Sequence, residues 1–376
     1  MKVPLVDLAA QHRTIRDEVI AAAHAVIDAQ AFVLGEPVAE FERTLATICG
    51  TSHAVGVASG TDALVLALRA LGVGPGDAVV TSAFSFVASA EAIAVVGARP
   101  VFADIDLATF NLSPASVEDR IARHDARAHG ALRAILPVHL FGLCADMDAL
   151  LAIAQAHGLS TIEDAAQAIG ASCRGRVAGS MGDAGCLSFF PTKNLGAWGD
   201  GGAVVTSRED VASRVKQLRA HGMSTPYRSE ELGTNSRLDA LQAAVLGVKA
   251  RHLAAWNVAR AGVASRYRDR LADLAPRLVL PAEGEGARHV YNQFVVRAEA
   301  RDALAAHLAS RDVATRVYYP LTLPRQTCFA YLGEDPASFP VADAAARTVL
   351  AIPVYPELTD DVIDYVADAI REFFAR

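Results

Sequence analysis

A lone lysine, Lys193, follows a short apolar run, Cys186-Leu187-Ser188-Phe189-Phe190, and a strand-ending proline, Pro191. Behind it comes a glycine-rich segment, Gly199-Asp200-Gly201-Gly202, in which backbone can pack closely. A loop lysine is ordinarily a solvated charge. Set at a strand end in a protein-lined turn, it loses solvation, and its pKa falls toward the range where the amine is nucleophilic. Such amines form Schiff bases, above all with pyridoxal phosphate (PLP).

Other residues of the right type stand after apolar runs. Ser59-Gly60-Thr61-Asp62 joins a strand to a helix; Gly60 permits close approach, and the first helical amides can hold a phosphate, or Ser59 and Thr61 merely cap the helix. Glu163-Asp164-Ala165-Ala166-Gln167 closes another strand. A buried Asp164 can keep a pyridine nitrogen protonated, and Gln167 can bond the ring oxygen; a helix cap and a solvated amide are the plain alternatives. Phe84 and Phe86 both follow a strand, and either can stack on a ring or belong to the core. Ser188, five residues before Lys193, can serve a phosphate or bond backbone. His139, also after a strand, reads as structural rather than catalytic.

The elements that must hold these residues alternate. Strands read at 54–59, 79–82, 100–105, 132–138, 159–163, 186–190 and 202–206, with helices between them. Apolar strands without alternation require a mostly parallel sheet covered on both faces, where ligands bind beyond the carboxyl ends of the strands. An N-terminal segment and helix occupy 1–30, and a large α/β domain 31–245. A smaller α+β domain follows at 246–376, introduced by a long helical stretch from Leu238 to Leu274. The net charge of −7 argues against a nucleic-acid partner. Five scattered cysteines argue against a disulfide scaffold or a zinc site, so no metal is expected. No apolar run of about 18 residues suggests a membrane span, and the N-terminus lacks a signal-peptide core, so a cytoplasmic location is expected.

The order of the candidates is that of the fold-type I (aspartate aminotransferase-like) PLP-dependent transferases, and the chain most closely resembles the DegT/StrS family of sugar-nucleotide aminotransferases. The resemblance runs nearly end to end, from Pro4-Leu5-Val6-Asp7-Leu8 through Ser59-Gly60-Thr61-Asp62-Ala63-Leu64, Glu163–Gln167, Ser188–Lys193 and Gly199–Gly202. It continues through Asn235-Ser236-Arg237-Leu238-Asp239 to Tyr318-Tyr319-Pro320. It implies Lys193 as the Schiff-base lysine, Asp164 as partner of the pyridine nitrogen, Phe86 as the stacking aromatic and Gln167 at the 3′ oxygen. Gly60, Thr61 and Ser188 would hold the phosphate. Asn235 would reach the phosphate of a neighbouring subunit, which implies a homodimer with shared active sites, although a helix N-cap before Leu238 also suits an asparagine. Arg237, Tyr318, Tyr319 and Arg325 are the expected substrate contacts, with Arg325 equally readable as a solvated surface charge. The implied reaction moves an amino group from L-glutamate to a keto group of a nucleotide-linked sugar. Tyr319-Pro320 and Gln326 match the loop of enzymes acting at C-3, while Thr322 and Pro324 depart from it; C-3 is favoured over C-4. A sugar dehydratase of the same family would carry histidine in place of Lys193. A non-catalytic sensor on this fold would need an effector or DNA-binding module, for which the chain has no spare domain.

Overall fold

The computed structural model describes residues 1–284 and 286–375. Its centre is a sheet of seven strands: β1 (His53–Val57), β2 (Asp77–Ser82), β3 (Arg99–Ala103), β4 (Ala131–Leu136), β5 (Ser160–Asp164), β6 (Ala184–Ser188) and β7 (Gly202–Thr206). They lie in the order β1-β7-β6-β5-β4-β2-β3. Pairing is parallel from β6 through β3, while β7 runs antiparallel to both of its neighbours.

Successive residues of a strand point to opposite faces, so the sheet feeds two cores. Val55, Val57, Cys186 and Val204 pack with Leu64, Leu68 and Val215 on one side. Ala54, Leu187, Ala203 and Val205 pack with Phe41, Leu45 and Leu246 on the other. Burial on both faces accounts for strands that read as continuous apolar runs. Helices α1 (Leu8–Ala29), α2 (Glu36–Cys49), α3 (Gly60–Ala70) and α4 (Ala88–Val95) cover the first half of the sheet sequence. Capping follows the residue types: Ser59 Oγ accepts from Asp62 N at 3.1 Å, and Ser113 caps the helix Pro114–Ala122.

Two expectations are corrected. The helical stretch 238–274 is two helices, Ala240–Ala250 and Leu253–Leu271. Between them Arg251 N bonds Val248 O and His252 N bonds Lys249 O, a tightened turn that needs neither glycine nor proline and so leaves no mark in the sequence. The first buries its face against the large domain and the second against the C-terminal core of Tyr267, Phe294 and Ile370. The strand expected at 186–190 is Ala184–Ser188, so Ser188 is its last residue. At the N-terminus, Val3 is buried in the C-terminal core, its N–H bonded to Asp312 O at 2.8 Å. The paired strands Phe294–Arg297 and Val349–Ile352 head that C-terminal part.

Candidate active site

Strand ends and helix starts on one side of the sheet enclose a cavity of about 360 Å³. Gly60, Thr61, Phe86, Asp164, Gln167, Ser188, Lys193, Tyr318 and Tyr319 all line it. Nine residues spread over 260 positions therefore meet in one place.

Asp164 ends β5, where its N–H bonds Pro137 O at 2.8 Å and its carbonyl accepts from His139 N at 3.0 Å. Its side chain is buried, with Oδ1 accepting from Ala166 N at 3.1 Å and Oδ2 from Ser89 Oγ at 2.7 Å. Lys193 lies in the turn after β6. Its N–H bonds Phe190 O at 2.8 Å, and Ala197 N bonds Phe189 O at 2.8 Å, closing the loop. Gly196 is required there, since a Cβ would lie 2.2 Å from Pro191 O. Neighbours on the two long helices anchor the same turn. Lys249 Nζ donates to Gly196 O, while Asn194 Nδ2 donates to Asn257 Oδ1 at 2.7 Å and Val290 O at 2.8 Å. Burial pulls the Lys193 ammonium down from 10.5 to about 8, against the raising influence of the Asp164 charge.

Gly60 opens α3 directly beside Ser188: a Cβ on it would meet Ser188 Cβ at 2.6 Å. The same lack of room holds at Gly202, where a Cβ would meet Ser59 O at 2.3 Å. These glycines shape a narrow cradle whose free donors are helix-start amides and hydroxyls, the donor set a phosphate needs. Phe86 and Phe84 are now distinguished: Phe86 is 55 % exposed at the cavity, and Phe84 is 0 % exposed in the core. Gln167 Oε1 accepts from Phe141 N at 2.7 Å and its Nε2 donates to the Tyr319 hydroxyl at 3.1 Å. Burial raises the pKa of that phenol.

Three expected contacts lie elsewhere. Arg325 turns away from the cavity, its Nε donating to Asp343 Oδ1 at 2.8 Å, so its alternative as a surface charge describes it better. Asn235 is exposed and Arg237 half-buried, and neither lines this cavity. Between them Ser236 is buried, donating to Asp62 Oδ2 at 2.8 Å and accepting from Ala58 N at 3.2 Å. That pins the segment to the start of α3. Asn235 is not an N-cap: the following helix starts at Ala240 with Asp239 in that position. His139 and Glu163 form a separate buried pair at 2.8 Å, with Glu163 also accepting from Gly179, Met181 and Gly182 N–H groups. His139 Nδ1 accepts from Ala145 N, so both ring nitrogens are taken up structurally.

Sequence reasoning missed Ser85, Asp200 and Gln293, which also line the cavity, and Ser89 behind it. Asp200 stood inside a glycine-rich motif; Ser85 stood between the two aromatics; Gln293 and Ser89 carried no local signal. Among the described residues no group of three or more His, Cys, Asp or Glu can hold a metal ion, and no helix is long and apolar enough to cross a membrane.

A cavity at the carboxyl ends of a mostly parallel sheet, holding a lysine of lowered pKa, a buried carboxylate and a glycine-shaped anion cradle, defines a fold-type I PLP-dependent transferase. The chain belongs to the DegT/DnrJ/EryC1/StrS aminotransferase family, whose model matches residues 13–371. It is similar to a pleiotropic regulatory protein of Geobacillus stearothermophilus, 44% identical over 100% of this chain and 99% of the relative. It is equally similar, at 44%, to the UDP-N-acetyl-3-dehydro-alpha-D-glucosamine 3-aminotransferase of Acidithiobacillus ferrooxidans, over 98% of this chain and 97% of that one. The crystal structure of DesV from S. venezuelae superposes with a TM-score of 0.95 at 42% identity, covering 100% of this chain and 99% of DesV. This protein is a PLP-dependent aminotransferase.

Proposed function

We propose that the enzyme transfers an amino group from L-glutamate to the C-3 keto group of a nucleotide-linked sugar, working as a homodimer with shared sites. The observation that carries the reading is the set of nine residues gathered in one cavity, in a chain 44% identical to a 3-aminotransferase of a nucleotide sugar. The residues fit PLP: Gly60 and Gly202 let the start of α3 pack against the ends of β6 and β7, which brings helix-start amides and the Thr61 and Ser188 hydroxyls to the cavity where its phosphate would sit.

When bound, the cofactor withdraws the electron pair from the reacting carbon and carries the amino group from donor to acceptor. The chain supplies the rest. Gly60, Thr61 and Ser188 hold the phosphate, and Phe86 covers one ring face. Asp164 holds the proton on the ring nitrogen, and Gln167 bonds the ring oxygen while fixing the Tyr319 hydroxyl. At a pKa of about 8, roughly a tenth of Lys193 is neutral at pH 7 against less than a thousandth at its ordinary value, so Nζ is poised to take a proton from the reacting carbon and return it. Tyr318 and Tyr319 meet the substrate. Asn235 and Arg237 lie outside the cavity of their own chain, which suits service to a partner's site.

The C-3 preference rests on the relative and on Tyr319. Leu323 and Pro324 of the same loop are core residues here, and Leu323 N is tied to Ala83 O at 2.8 Å. A second reading, a regulator without catalysis, is favoured by the Geobacillus relative, a pleiotropic regulatory protein; the Lys193 and Asp164 pair speaks against it. The test is mass spectrometry of products from the holoenzyme with L-glutamate and 3-keto and 4-keto nucleotide sugars. The expected result is a 3-amino sugar; amination at C-4 alone overturns the regiochemistry, and no turnover with either favours the regulator.

A further inference from the structure

The carboxylate of Asp164 does not stand alone. Behind it, in the first turn of α4, Ser89 is 0 % exposed and donates to Asp164 Oδ2 at 2.7 Å. Ser89 Oγ in turn lies 3.1 Å from Ser85 Oγ, and Ser85 lines the cavity. The direction of this chain follows from proton counting. An ionised carboxylate only accepts, so Ser89 spends its single proton on Asp164 and must accept from Ser85. Ser85 then donates inward. The remaining carboxylate oxygen, Oδ1, is held by Ala166 N at 3.1 Å.

Capping does not explain the serine. Val87 occupies the N-cap position of α4 with no side-chain bond, and the hydroxyl of Ser89 bonds no backbone group. The helix is Ala88-Ser89-Ala90-Glu91-Ala92-Ile93-Ala94-Val95, and alanine at 89 would suit both its propensity and its buried surroundings. The one bond that the buried Ser89 hydroxyl donates goes to the carboxylate.

We propose that Ser89 is a positioning residue for the reaction, fixing the Asp164 carboxylate toward the ring nitrogen, with Ser85 supporting it as the outer member of the relay. A hydrogen bond donated to a carboxylate favours the charged form over the protonated one. Its loss therefore weakens the electron sink without touching substrate contacts.

The experiment uses the holoenzyme and three variants, Ser89→Ala, Ser89→Thr and Ser85→Ala, followed by cofactor absorbance against pH, by kcat and KM, and by thermal melting. For Ser89→Ala the expected result is a kcat lowered about 10- to 100-fold with KM for both substrates within about threefold. The acid-side midpoint of the absorbance titration should rise by about one pH unit. Ser89→Thr, which keeps the hydroxyl, restores both readings. Ser85→Ala moves them the same way by a smaller step. A Ser89→Ala enzyme that melts normally and keeps the wild-type midpoint and kcat overturns the proposal. Should Ser89→Ala fail to fold, Ser85→Ala decides: a shifted midpoint supports the relay, and an unmoved one overturns it.

Discussion

Replacing Gly60 by alanine tests the cofactor cradle where its geometry is tightest. The backbone at Gly60 is of the ordinary right-handed kind, so the constraint is space rather than conformation. The added Cβ would stand 2.6 Å from Ser188 Cβ and 3.2 Å from Ser188 Cα, whereas carbon atoms rest about 3.5–4.0 Å apart. Neither atom is the end of a flexible side chain. The start of α3 and the end of β6 must therefore part by roughly 1 Å, at an overpacking cost of about 1–3 kcal/mol. That cost falls on the folded chain with or without cofactor, so the melting temperature drops, and the parted cradle binds the PLP phosphate more weakly. The assay is an absorbance titration of apoenzyme with PLP, paired with thermal melting. Gly262→Ala is the control: its Cβ meets nothing within 4 Å inside a helix, so it should leave PLP binding alone and add about 0.5–1 kcal/mol of stability. A Gly60→Ala protein that binds PLP as tightly as wild type would refute the reasoning.

Further outcomes follow from the same geometry. Since burial brings Lys193 to about 8, acylation of Lys193 in the apoenzyme should rise with pH through a midpoint near 8; a midpoint near 10.5 contradicts this. The same lowering means the unfolded chain holds a proton the folded one has lost between about pH 8 and 10.5, so this group makes stability rise across that window. Glu163→Gln turns one of two buried carboxylate oxygens into an amide nitrogen, so two of the four donors that Glu163 accepts from face another donor, at roughly 1–3 kcal/mol each. Its urea midpoint should fall clearly, and an unchanged midpoint would show that the pair is dispensable. Arg325→Ala should leave KM for the sugar nucleotide within about threefold, because the guanidinium is held by Asp343 on the surface; a tenfold rise would return Arg325 to the site.

The sheet and most of the site were legible because their signals are local. Buried parallel strands are apolar throughout, and a Ser-Gly-Thr turn or an Asp-x-x-Gln pair stands where a strand stops. Gly202–Thr206 emerged with the bounds the sequence implies. What stayed hidden depends on contacts between distant segments. Nothing near residue 251 announces the break between Ala240–Ala250 and Leu253–Leu271, which arises because the two helices bury different faces. Ser89 sits in an alanine-rich helix 75 positions from the carboxylate it serves, and Gln293 reaches the cavity from the C-terminal part. The ion pair of Arg325 was hidden in the same way, because its partner Asp343 lies 18 positions on.

The central claim is that Lys193 is the residue that holds the cofactor. Lys249 offers a stringent rival: it is buried where Lys193 is half-buried, it is also lowered to about 8, and it is tied to the same turn through Gly196. Borohydride reduction of the holoenzyme followed by peptide mass mapping separates them. The account predicts a phosphopyridoxyl mass on Lys193 alone; the label on Lys249, or on no lysine, would contradict it.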